Sequence, residues 1–153
     1  MGRVANFRFR FESLLRYRKH RRDLCRQRLA EVMREEQNLL SQRRELEKER
    51  ERLIEELRRM QSAGEVDVDG AAARRYYVGR LLTQMIGIEQ RRQSLRREIA
   101  QCRQAVVRAD QDVKVLEKLA EKRRAEFLYE AERREGLATE DAWSAARLGE
   151  GGT

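Results

Sequence analysis

The sequence predicts an all-α fold: a long antiparallel two-helix coiled-coil hairpin with a short C-terminal helical tail. Apolar residues recur at heptad spacing over two long stretches, and one glycine-containing break separates them. The chain has no proline, so nothing has to interrupt a helix. With 41% charged residues, little apolar material remains for a globular core. The line of contact between two coiled-coil helices, the seam, needs only about two apolar residues in seven.

The first helix is predicted from about residue 7 to about residue 61, with Asn6 as a candidate N-cap. Every seventh residue of one phase is apolar, namely Cys25, Val32, Leu39, Leu46, Leu53 and Met60. Such spacing places the residues on one seam. The second phase contains Leu15 and Leu29, but Glu36, Arg43 and Arg50 follow before Leu57. Polar seam residues lower stability and help to specify register.

The break is predicted as a turn at about residues 62–70, with Asp67 and Asp69 as candidate caps of the next helix. The second helix is predicted at about residues 71–135. One seam phase contains Val78, Met85, Ile99, Val106, Val113, Ala120 and Phe127, interrupted by Arg92. The other contains Leu81, Ile88, Leu95, Cys102, Ala109 and Leu116. Because the connection is short, the helices are expected to fold back antiparallel.

Beyond the hairpin, taken as residues 1–135, the sequence predicts a tail at residues 136–153. Thr139 follows Gly136 and is a good N-cap, with Glu140 and Asp141 in the first turn. We therefore expect a short helix through Leu148. The last residues, 149–153, are expected to be disordered.

The net charge of +8 is concentrated near the N-terminus. Residues 1–30 contain ten Lys or Arg residues and only Glu12 and Asp23 against them, while the rest of the chain is balanced. A localised positive charge indicates an acidic protein surface, a nucleic acid or an anionic membrane as partner. The first 18 residues alternate Phe with Arg, unlike a signal peptide, and no apolar run approaches the ~20 residues of a membrane span.

Nothing in the sequence indicates catalysis, a cofactor or a metal site. His20 is the single histidine, and it lies in a basic run far from Cys102. No glycine-rich phosphate loop or nucleophile-and-base set is present, and a two-helix rod offers no pocket that excludes water. Counting from a turn near residue 66 places Cys25 opposite about residue 107. That is about one turn away from Cys102, so a disulfide is possible only if the register shifts. We therefore expect two buried apolar thiols in a reducing cytoplasm.

Two segments have the composition of partner sites. In a helix, Phe7, Phe11, Leu14 and Leu15 would share one face, while Phe9 and Tyr17 would stand apart among arginines. Aromatic residues interleaved with Arg either stack on bases or anchor a protein interface. Near the turn, Gly79 and Gly87 weaken the helix, and apolar residues lie off the seam: Tyr76, Tyr77, Leu82 and Ile86. These residues form either a partner site or a small core under the turn.

Residues 7–18 read Phe-Arg-Phe-Arg-Phe-Glu-Ser-Leu-Leu-Arg-Tyr-Arg. This pattern of Phe-x-Phe-Arg-(apolar)-Glu-x-Leu-Leu-x-x-Arg resembles the start of the flagellar type III export stalk proteins, the FliJ family. The resemblance continues through the heptads, the stretch Leu116–Lys122 and the charged tail to Ala142. Phe11 stands where the family pattern has Leu, and Trp143 is unusual.

The resemblance implies a non-enzymatic stalk that couples a hexameric flagellar export ATPase to the cytoplasmic domain of a membrane export-gate protein, with a role in handling export chaperones. The ATPase ring would be bound by Phe7, Arg10, Phe11, Leu14, Leu15 and Arg18, helped by Leu128 and by Arg133–Trp143. The gate would be bound by Tyr76, Tyr77, Leu81 and Leu82. The location implied is the cytoplasm, peripheral to the inner membrane, with membrane association only through the gate.

Two alternatives stay open. One is the equivalent stalk of a virulence-type type III secretion system. The other is a nucleic-acid-binding protein, because a basic stretch that leads into heptads superficially resembles a bZIP protein. Against nucleic acid, the second heptad helix already supplies a partner within the chain, and aromatic residues interrupt the basic run.

Overall fold

A computed structural model describes residues 6–64 and 67–151 of the chain. This part contains two α-helices and no strand: α1 at Glu12–Ser62 and α2 at Val68–Glu150. The helices pack against each other in antiparallel orientation, with Arg28 of α1 paired to Glu98 of α2 and Arg43 paired to Glu89. The predicted all-α hairpin is confirmed.

α1 begins five residues later than about residue 7, the start predicted from the sequence. Residues 6–9 have no regular secondary structure, and Asn6 therefore caps no helix. The Glu12 amide closes the first turn by donating to the Phe9 carbonyl oxygen over 3.2 Å. In the extended segment Phe7 and Phe9 are half-buried while Arg8 is exposed. An extended chain can turn both phenylalanines to one side because its side chains alternate, which a helix does not allow.

The turn between the helices uses one of the two predicted caps. Gly64, just after the end of α1, has a φ of 68°, in the left-handed region that glycine adopts without a Cβ clash. Asp67 precedes α2, and its Oδ1 accepts a hydrogen bond of 3.0 Å from the Gly70 amide. This is the N-cap bond that satisfies an otherwise unpaired amide of the first turn. Residues 65 and 66 lie outside the described part.

α2 passes Gly136 without a break, so the predicted tail is helical but continuous with the second helix. The Thr139 hydroxyl, expected to cap a new helix, instead donates to the Glu135 carbonyl oxygen over 2.8 Å. One internal glycine costs a helix only about 1 kcal/mol, and good helix formers surround it. Gly149 and Glu150 are still helical, while residues 152–153 of the expected disordered end lie outside the described part.

The chain forms two compact units. One unit comprises residues 23–107, and its core is a cluster of Val32, Leu95 and Ile99. Leu29, Leu39 and Cys102 pack around this cluster. The other unit comprises residues 1–22 and 108–153, with a core of Leu15, Val113 and Leu116 against which Phe9 and Leu119 pack. Except for Phe9, all these residues belong to the predicted seam or lie directly beside it.

Three of the polar residues that interrupt the heptads, Glu36, Arg43 and Arg92, meet in the unit of residues 23–107. Arg92 is 7% exposed, and its guanidinium lies 2.8 Å from Glu89 and 3.8 Å from Glu36. Glu89 also accepts a hydrogen bond of 2.9 Å from Arg43. Arg92 of α2 and Glu36 of α1, each of which interrupts a heptad phase, therefore belong to one ion-pair network.

We expect Leu95→Ala to lower the free energy of unfolding by about 3 kcal/mol, because Leu95 is fully buried and the substitution leaves a cavity. The matched control is Leu82→Ala on the same helix. Leu82 is 44% exposed, so its replacement should change the free energy of unfolding by less than about 0.5 kcal/mol. Urea unfolding followed by circular dichroism measures both. Equal losses would contradict the placement of the seam.

Candidate partner-binding surfaces

The first candidate surface lies in the unit that contains the two chain ends. Residues 7–11 lie along the part of α2 between Arg123 and Glu135, and a groove of about 840 Å³ runs between them. We call it the terminal groove. Its lining from α2 consists of Arg123, Glu126, Phe127, Leu128, Glu130, Ala131, Arg134 and Glu135. A groove with aromatic and arginine lining has the composition of a protein interface.

Aromatic contacts hold the N-terminal segment in place beside α2. The ring centroids of Phe7 and Phe127 are 5.6 Å apart, and Phe9 packs on the core cluster that contains Leu15. Phe9 and Phe11 meet edge to face at 5.8 Å. Such contacts contribute about 0.5–1.5 kcal/mol each beyond the area they bury. The segment is therefore anchored although it is not helical.

The charges of the terminal groove are unevenly paired. Arg123 lies 3.5 Å from Glu126, and Arg134 lies 3.6 Å from Glu130, so arginines of α2 already neutralise two of its carboxylates. Within the described ranges, no carboxylate lies within 4.0 Å of the guanidinium of Arg8 or Arg10. The Arg10 guanidinium instead lies 5.6 Å from the ring centroid of Phe11. The N-terminal side of the groove therefore presents positive charge.

The structure divides the residues predicted to bind the ATPase. Arg10, Phe11, Leu14 and Leu128 are exposed, and Phe7 is half-buried in the groove. Leu15 is only 6% exposed and belongs to the core, so it offers no surface to a partner. Arg18 is half-buried, and its Nη1 donates to the Asp112 carbonyl oxygen over 3.1 Å. It joins the two helices of this unit.

The last part of α2 contains the other predicted helpers, Arg133 and Trp143. Every described residue from 132 onward is exposed. Trp143 keeps most of its surface in solvent, with the Arg147 guanidinium 4.3 Å from its ring centroid. The Arg147 contact covers one face of the indole. Neither Arg133 nor Trp143 lines the terminal groove.

The second candidate surface lies on α2 near the turn, within the unit of residues 23–107. Tyr76, Tyr77 and Leu82 are exposed, as a gate-binding surface requires, with Tyr76 at 71%. Leu81 is 3% exposed and belongs to the seam, so its assignment to this surface is wrong. Its place in the Leu81–Leu116 heptad phase was a sequence signal for burial. Ile86 is also exposed, and these side chains do not form a core under the turn.

The glycines of this second surface leave the helix backbone open. No atom lies within 4 Å of where a Cβ would stand at Gly79 or Gly87. Thr83 lies between them, and its hydroxyl donates to the Gly79 carbonyl oxygen of the same helix over 3.1 Å. A partner can therefore approach this stretch of α2 closely, beside Tyr76 and Ile86.

Among the described residues, no three His, Cys, Asp or Glu side chains lie close enough together to hold a metal ion. His20 is exposed, and Cys25 and Cys102 are free thiols. In the same part of the chain, neither helix contains an apolar stretch sufficient to cross a membrane.

Comparison with known families finds a match. The model of the family described as Flagellar FliJ protein matches residues 7–145, which include both candidate surfaces. Comparison with curated proteins and with solved structures finds no match.

Proposed function

Because the chain belongs to the flagellar FliJ family, whose members are components of flagellar type III export, we propose that it is the non-enzymatic stalk that couples the hexameric export ATPase to the export gate. The observation that carries this proposal is the terminal groove. It combines exposed cations with aromatic side chains at the place where residues 7–11 lie beside residues 123–135 of α2.

The ATPase ring would be bound through the terminal groove. Arg8 and Arg10 supply positive charge that an acidic surface on the ring would attract. Phe11 and Leu14, both about 40% exposed, supply the apolar anchor. Leu15 and Arg18 maintain the helix pairing beneath this surface and do not touch the partner.

The gate would be bound through the exposed residues near the turn. Tyr76, Tyr77, Leu82 and Ile86 present apolar surface that nothing in the described ranges covers. A cytoplasmic domain of a membrane export-gate protein is the partner that the family implies, and export chaperones are a second class of partner. The chain would then act at the cytoplasmic side of the inner membrane, held there through the gate.

ATP hydrolysis by the purified export ATPase of the same organism tests the coupling function. We expect stoichiometric addition of the chain to stimulate hydrolysis and to increase the hexamer fraction on a sizing column. No stimulation and no co-elution would contradict the proposal. Salt-dependent binding of the chain to DNA in that case would favour the nucleic-acid alternative.

For the gate surface, we expect Tyr76→Glu combined with Leu82→Glu to reduce binding to the purified cytoplasmic domain of the gate protein at least about tenfold, since charges replace apolar anchors. Calorimetry or surface plasmon resonance measures the affinity. Met33→Glu combined with Leu24→Glu is the matched control, because both side chains are exposed apolar residues of α1 in the same unit. Equal losses in the two variants would show that the surface is not specific.

A further inference from the structure

The interlocking layers of the unit of residues 23–107 establish which residues face each other across the seam. Val32 of α1 and Leu95 of α2 are packed in one buried cluster. In an antiparallel heptad pair, a step of seven residues back along α1 and seven forward along α2 leads to the next equivalent layer. From Val32 and Leu95, that step leads to Cys25 and Cys102.

The opposite step confirms the rule. Seven residues forward from Val32 is Leu39, and seven residues back from Leu95 is Ile88. Both line the same groove between the helices. The intermediate layers obey the rule as well. Glu36 is paired with Arg92. Seven residues back from Glu36 is Leu29, and seven residues forward from Arg92 is Ile99; Leu29 packs on the cluster that contains Ile99.

The surroundings of Arg28 agree with this placement of the cysteines. Arg28 lies one turn after Cys25 on α1, and its guanidinium forms an ion pair with Glu98, one turn before Cys102 on α2. The pKa of Arg28 is raised, chiefly by the hydrogen bond and the charge of Glu98, with a smaller contribution from Cys102. The guanidinium thus spans the seam beside the layer of the two cysteines.

The spacing of packed helices suits a bond between these two residues. Helix axes in contact lie about 8–10 Å apart, and each Cα lies about 2.3 Å from its axis, so Cα atoms that face each other directly are separated by roughly 3.4–5.4 Å. Disulfides join Cα atoms about 4.4–6.8 Å apart. Both thiols are free and only partly buried, so a small oxidant can reach them.

This register differs from the expectation that Cys25 lies opposite about residue 107. That expectation came from counting outward from the middle of the turn. The register is determined by which side chains interlock, as Val32 does with Leu95 and Glu36 with Arg92. A shift of about one helical turn brings the two cysteines into one layer.

We propose that Cys25 and Cys102 are a redox modification site, at which an intramolecular disulfide locks the two helices of this unit in register. A small-molecule disulfide such as oxidised glutathione is the oxidant. One cysteine thiolate attacks it, releases one glutathione thiolate and leaves a mixed disulfide. The second cysteine, after losing its proton, attacks the protein sulfur of that mixed disulfide and releases the other glutathione thiolate. Two electrons pass to the small molecule, which leaves as two thiols.

The experiment exposes the full-length chain to oxidised glutathione and follows free thiols, intact mass and mobility on non-reducing gels. We expect the chain to lose both thiols while it stays monomeric, with a mass decrease of about 2 Da for the two hydrogen atoms removed. Dithiothreitol should reverse all three changes. The oxidised chain should melt on the order of 10 °C higher than the reduced chain, because a long segment of chain is closed into a loop.

A matched variant keeps two thiols but moves one of them. Cys102→Ser combined with Gln104→Cys places the second thiol on an exposed position two residues along, turned away from the seam. Its intramolecular oxidation should be at least roughly tenfold slower, since the two thiols no longer face each other. The proposal is overturned if the wild-type chain keeps both thiols, forms only disulfides between chains or with glutathione, or oxidises no faster than this variant.

Discussion

Replacement of Arg8 and Arg10 together by glutamate is expected to raise at least about tenfold the concentration of chain that gives half-maximal stimulation of the export ATPase, which corresponds to roughly 1.4 kcal/mol of binding. Both side chains are exposed, and the first α-helix begins only after them, so the helices should remain intact. The measurement is the rate of ATP hydrolysis against the concentration of added chain, with circular dichroism as the check on helix content.

Arg34→Glu combined with Arg44→Glu is the matched control for that result. It makes the same change in net charge at two exposed positions of α1 outside the terminal groove. Stimulation should stay near the wild-type level in the control. If both variants lose stimulation equally, the effect comes from net charge, and the assignment of the terminal groove is wrong.

The polar layer is the site of the largest expected change in stability. Glu36→Ala combined with Glu89→Ala should lower the free energy of unfolding by about 3 kcal/mol, because the two substitutions leave the Arg92 guanidinium buried without a carboxylate partner. The Arg92 Nε already lacks a hydrogen-bond partner among the described residues, so the guanidinium depends on these two carboxylates. Denaturant unfolding followed by circular dichroism measures the loss.

Addition of Arg92→Met to that double variant should restore most of the lost stability. The methionine side chain fills a similar volume and has no charge to desolvate, and buried ion pairs are often replaced by apolar side chains without net cost. If the triple variant is no more stable than the double variant, desolvation of Arg92 is not the origin of the loss. The same comparison, made by sizing chromatography, shows whether the polar layer also keeps the hairpin monomeric.

The terminal groove shows why its residues could be predicted only in part. The composition of residues 7–18 indicated an interface of aromatic and arginine side chains, and the groove has that lining. The assumption that this segment is helical placed Phe7 with Phe11 and left Phe9 apart. In the folded chain the segment is extended, and Phe9 therefore packs on the core. The same extended path allows Phe7 to contact Phe127. No sequence pattern around the glutamates of α2 that line the groove indicated that they belong to a binding surface.

Leu15 and Leu81 illustrate a different error. Both belong to the heptad phases that predict the seam, and both are buried there. Their assignment to partner surfaces followed the resemblance and not the periodicity. An apolar residue at a heptad position is expected to be buried between the helices and not to bind a partner. A helix of this composition gains stability mainly by covering its stripe of apolar heptad residues.

The sequence by itself determined the helices, the turn and the family, because heptad spacing, the absence of proline, the glycines at the break and the opening motif are local properties of the chain. Only the tertiary structure decided the register, the path of residues 6–11 and the continuity of α2 to Glu150. Heptad patterns fit each other at any shift of seven residues, so periodicity cannot distinguish one register from the next. The match of Val32 with Leu95 and of Glu36 with Arg92 makes that distinction, and the proposed pairing of Cys25 with Cys102 rests on it.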